Sequence, residues 1–186
     1  NGAEMNKRQR RLRISIQDIA RIGMITAVIE VSKLALSFLP NIELVTFWII
    51  MFTLFLGPKT IYDIAAFILI EISLYGVQTW VIMYLYMWPI LSLAVYLCGK
   101  NDSVWFYSIL SGFFGLLFGA FCSLPYMVIG AVEGGIQSGL IMAFNWWVAG
   151  IPYDIIHGIA NAALMLTLYR PVRTLLNRLT LLRRST

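Results

Sequence analysis

Asp154, His157 and Asn161 stand three and four residues apart, so on a helix they share one face. A carboxylate, an imidazole and an amide in one stripe can bind a polar ligand, hold a partner helix, or act as an acid–base pair. Glu30, Lys33, Asp63 and Glu71 also lie inside apolar runs. Charge in hydrocarbon is costly, so such groups normally face protein or a wet cavity. Glu30 and Lys33, three residues apart, are expected to neutralise each other. Asp63, a turn from Lys59, is assigned to the interface at that end. No nucleophile accompanies the single His, and no phosphate-cradling glycine loop, HExxH or GxSxG is present. A catalytic site is therefore not expected. Cys98 and Cys122 have neither a CxxC nor a His neighbour, so no metal site is expected and both are read as packing residues.

The elements that must position this stripe are membrane helices. The chain is 60% hydrophobic and 12% charged, with a mean hydropathy of +0.80, whereas a soluble domain is about 45–50% apolar and about 25% charged. Polar breaks divide it into six spans: 16–39, 44–56, 60–75, 79–98, 104–122 and 143–169. Span 44–56 is short for a core roughly 30 Å thick and fits a thinned, water-accessible funnel. Pro89 is expected to kink its span. The basic residues cluster in 7–21 and 170–184, with Lys33, Lys59 and Lys100 between them. Positive charge resists translocation, so both termini are expected to be cytoplasmic. The opposite segments, 40–43, 76–78 and the long loop 123–142, carry Glu43 and Glu133 but no Lys or Arg. The expected fold is thus an all-α bundle of six transmembrane helices in a cell membrane. Residues 1–4 read as a cloning remnant, 5–15 as a basic cytoplasmic tail, 16–169 as the membrane domain and 170–186 as a basic amphipathic tail on anionic lipid. The net charge of +5 is accounted for by topology, and no nucleic-acid partner is expected.

Two further patterns bear on function. Ala20, Gly23 and Ala27 form a small-residue groove for close helix approach, either within the bundle or with a partner; Ser111, Gly115 and Gly119 repeat it and are assigned to internal packing. Aromatic residues crowd the cation-free end: Trp80, Tyr84, Tyr126, Trp146, Trp147 and Tyr153. They suit an interfacial belt or, with Asn145, a lid over a large flat ligand. Glu43, Gln78, Tyr84, Asn145, Trp147, Asp154, His157 and Asn161 are the expected substrate-binding residues. No sequence repeat relates the two halves, which counts against a self-sufficient transporter built from inverted repeats.

The short six-span chain, basic ends and small-residue motif of the first span resemble the S component of an energy-coupling factor (ECF) transporter. The likeness covers roughly residues 14–179. The family motif AxxxA appears here as Gly23 and Ala27. The stretches 39–46, 84–89 and 150–158 are similar to a cobalamin-uptake subgroup, while relatives take up folate, pantothenate or queuosine precursors. The resemblance implies a bacterial membrane subunit without cofactor or ATPase activity of its own. It would capture a vitamin from outside, dock through Ala20, Gly23 and Ala27 on a membrane T component, and topple to release its cargo. Two cytoplasmic ATPases would supply ATP hydrolysis. A membrane enzyme using Asp154 and His157, or an assembly protein, are the alternatives.

Overall fold

The computed structural model describes residues 15–99 and 101–184; the basic tail before Ser15 and Lys100 lie outside the described residues. All the regular structure among them is helical: α1 Ile16–Ala35, α2 Val45–Leu56, a 3-10 turn Gly57–Lys59, α3 Thr60–Tyr75, α4 Thr79–Cys98, α5 Val104–Leu116, α6 Phe118–Cys122 and α7 Leu124–Arg184. Val45–Tyr75, Thr79–Cys98 and Phe118–Arg178 are long and apolar enough to cross a membrane.

Local chemistry sets the ends. Ser15 and Asp18 form a reciprocal capping box at the start of α1, each side chain accepting the other's backbone N–H at 3.1 Å. Ser103 caps α5. Gly57 and Gly76 stop α2 and α3 at positive φ, +61° and +76°, where a Cβ would be strained. These stops match the expected ends of the second and third spans. The fourth runs through Pro89 without a break.

Two expectations change. The fifth span is not one helix: it is interrupted at Leu117 into α5 and α6. The expected long loop 123–142 is helical. Its chain reverses at Gly134 and Gly135, the latter at φ +82°, giving a hairpin in which Tyr126 stacks on Trp146 at 3.8 Å. A Cβ on Gly130 would lie 3.0 Å from the Gly139 Cα. Small residues there let the two arms close, a packing signal that loop composition had masked.

Cross-contacts give the direction of each rod. Arg21 acts electrostatically on Asp63 and Lys33 meets Glu71, so α1 and α3 run the same way. Trp48 reaches back to Ser32, so α2 opposes α1. Tyr86 meets the Phe121 carbonyl and Tyr107 the Cys98 carbonyl, so α4 opposes α5–α6. At the basic end, Arg173 ties Asp102 to Tyr169.

The surface is apolar and the interior mixed. Leu69, Leu97, Phe113 and Ile159 are exposed, while Asp63, Glu71, Asp154, His157 and Asn161 are buried among Phe47, Phe67, Trp88 and Tyr107. That inversion is what lipid demands. α5 packs tightly against α7. Ser108 Oγ donates to the Ala162 carbonyl at 2.6 Å and Ser111 Oγ to that of Asn161 at 3.2 Å. A Cβ on Gly115 would fall 2.8 Å from the Gly158 Cα. Gly115→Leu must push these backbones apart. It is expected to lower stability by at least the ~1–3 kcal/mol typical of overpacking, read as a lower unfolding temperature of the detergent-solubilised protein.

Candidate functional site

Beside the connection 36–44 that enters α2 lies a cavity of about 400 Å³, at the end of the bundle opposite Lys59, Arg170 and Arg173. Lys33, Glu43, Trp80, Tyr84, Phe118 and His157 are among the residues that line it. Each comes from a different part of the chain: the end of α1, the α1–α2 connection, the start of α4, α6 and α7. Tyr75, at the end of α3, packs its ring edge-on against Trp80 with centroids 5.5 Å apart, and Trp80 does the same to Tyr84 at 5.4 Å. Phe118 meets the His157 imidazole edge-on at 4.8 Å.

Lys33 does not pair with Glu30 as expected. Its ammonium lies 2.5 Å from both oxygens of the fully buried Glu71. The same nitrogen stands 4.9 Å from the Trp80 ring centroid and 5.5 Å from that of Tyr84, a cation–π arrangement. Glu30 lies in the field of Glu71 and Lys33, and neither of its oxygens has a hydrogen-bond partner. Position i+3 put Glu30 near Lys33 in sequence, but the α1–α3 crossing offers Glu71 better geometry. Glu30, Lys33 and Glu71 together form a buried acid-rich cluster behind the aromatic wall.

Glu43 faces the cavity with 19% of its side chain exposed, and its Oε1 is 3.8 Å from His157 Nε2. That exceeds hydrogen-bond length, and the buried Nε2 has no hydrogen-bond partner. Surrounding protein pushes the Glu43 carboxyl up to about 7, with Lys33 pulling the other way.

Of the expected binding residues, Glu43, Tyr84 and His157 meet in this cavity. The polar stripe of α7 is divided. Asp154 Oδ1 accepts the Gly119 N–H at 2.9 Å and so joins α6 to α7. Asn161 Nδ2 donates to Thr46 Oγ1 at 3.3 Å, joining α7 to α2. Both amide and carboxylate therefore serve helix packing. Gln78 is exposed just before α4, and its amide reaches the Tyr75 carbonyl at 3.5 Å. Asn145 and Trp147 are exposed on α7 beyond the cavity, with Trp147 edge-on to Phe144. Lys33, Trp80 and Phe118 are cavity residues outside the expected binding set. An unusual lysine amid an aromatic-rich apolar sequence was their signal, but nothing local said that they would converge. Ala20, Gly23 and Ala27 lie on the exposed face of α1, and a Cβ on Gly23 would meet nothing within 4 Å.

What the arrangement can do is enclose a small solute, stack it on aromatic rings and meet its polar edge with a carboxylate, an ammonium and an imidazole. No protein-family model, curated protein or solved structure matches the chain.

Proposed function

We propose that the chain is the substrate-binding S component of an ECF-type transporter, a bacterial membrane subunit that captures a micronutrient from outside. The observation that carries this reading is the solute-sized, aromatic-walled cavity opposite the basic end of the bundle. In the proposed topology α1, α2, α3, α4, α5 with α6, and the part of α7 after its break each cross once, leaving both termini cytoplasmic. The alternating rods and the basic residues at one end support it. The unfilled Ala20/Gly23/Ala27 face of α1 supports docking on a T component, which two ATPases would drive.

The cavity favours a small micronutrient. Pockets of about 300–1,000 Å³ hold drug-sized ligands, and 400 Å³ lies at the low end. A queuosine precursor, flat and without a carboxylate, is closer to this scale than cobalamin, whose corrin ring would require the cavity to open further.

Co-expression with candidate T and ATPase subunits tests the reading. A stable complex and ATP-dependent vitamin uptake are expected; a chain that assembles with no such module overturns it. Topology has its own check. Arg178→Cys in a cysteine-free background is expected to resist a membrane-impermeant thiol reagent in sealed cells and react after permeabilisation. Labelling from outside would overturn the orientation.

A further inference from the structure

The cavity holds an unbalanced set of polar groups. Lys33 is already matched, because Glu71 engages its ammonium through both oxygens. Glu43 is not: its carboxylate receives no hydrogen bond among the described residues, and its nearest ionisable partner is His157 at 3.8 Å. His157 Nε2, buried and aimed at the same space, is also without a hydrogen-bond partner. A partly exposed carboxylate and a buried, unpartnered imidazole nitrogen therefore face one cavity. A carboxylate accepts only, and a neutral imidazole nitrogen can accept, so a donor-rich group would serve both. The aromatic wall acts in the same sense. Trp80 and Tyr84 already turn their negative ring faces toward one ammonium, and ring faces attract cations and repel anions.

We propose that the cavity takes a small, flat ligand bearing a cationic nitrogen or an equivalent cluster of N–H donors, with that edge on Glu43 and His157 and its ring against Trp80 and Tyr84. The proposal rests on reading the cavity as the solute site, and it names the charge class of the solute. An anionic ligand held by Lys33 is the competing outcome. It would have to share the ammonium with Glu71 and lie beside Glu43.

Three probes with one flat body and different charge separate these cases: tryptamine, tryptophol and indole-3-acetate. Calorimetry on the full chain in lipid nanodiscs, at millimolar probe concentration, is expected to rank tryptamine first and indole-3-acetate last. A charge-assisted hydrogen bond of ordinary strength makes the separation roughly ten- to a hundredfold. Glu43→Gln should collapse that separation. Trp80→Ala should weaken all three, tryptamine most, whereas Glu43→Gln acts on the charged probes, which separates loss of the stacking wall from loss of the charge contact.

Acidity supplies a second readout. Glu43 is faced by Lys33 of α1, Glu71 of α3, Tyr84 of α4, Cys122 of α6 and His157 of α7. Burial pushes its carboxyl up to about 7, and only the ionised form attracts a cation. Tryptamine affinity should therefore rise with pH through about 7 and level off above it. Glu43→Gln should flatten that rise.

Equal or tighter binding of indole-3-acetate overturns the proposal, as does failure of all three probes to bind. A chain that assembles with T and ATPase subunits yet prefers the anion loses only this inference. One that prefers tryptamine but assembles with no such module keeps the ligand class and loses the transporter reading.

Discussion

Lys33→Met is expected to destabilise the protein by about 3–5 kcal/mol, the usual cost of removing one partner from a buried ion pair. Glu71 is fully buried and takes both its contacts from the Lys33 ammonium. Glu30 lies in the same field. Without the ammonium, two neighbouring carboxyls remain in a nonpolar surrounding with no cation between them. Lys33→Met combined with Glu71→Met should recover most of the loss, because two apolar side chains of similar reach leave a single acid to satisfy. Thermal unfolding in detergent, compared between the single and double variants, reads this directly. If the single variant unfolds like the unsubstituted protein, the pair does not hold α1 to α3. The same single variant should also loosen the aromatic wall, since Trp80 and Tyr84 lose the cation they flank.

The second large effect is expected at the other face of α1. On the proposed docking to a T component, Gly23→Trp with Ala27→Trp should abolish uptake while leaving solute binding by the isolated chain intact. Both positions are exposed, and space beside Gly23 is open, so bulk there costs the bundle little. It would, however, hold any partner helix several ångströms away and remove the close contact on which association in lipid depends. Uptake in cells and calorimetry on the purified variant must be measured together. Loss of binding or folding along with uptake would assign the groove to internal packing. Retained uptake would remove it from docking.

Much of the secondary structure was legible in the sequence, and so were the groups that lipid could not tolerate unpaired. Gly57-Pro58 and Gly76 mark helix ends because a glycine at positive φ and a proline without an N–H act locally. The segments expected at about 60–75 and 79–98 form the helices Thr60–Tyr75 and Thr79–Cys98. The small residues Ser111, Gly115 and Gly119 also announced a tight crossing, which α5 and α6 make with α7. The hairpin after Cys122 was misread as a loop. Its glycines resemble loop composition, and only the packing of Gly130 on Gly139 shows that they admit a second helix.

Which polar groups meet was decided by tertiary structure alone. Helical spacing placed Asp154, His157 and Asn161 on one stripe, but a stripe extends past several neighbours. Gly119 took the first, the cavity the second and Thr46 the third. Spacing likewise favoured Glu30 for Lys33, whereas the partner is Glu71, 38 residues away. A sequence states which side chains cannot face lipid alone. Choosing among their partners takes the crossing of helices, because distances between rods depend on every small and large residue along each contact and not on any local pattern.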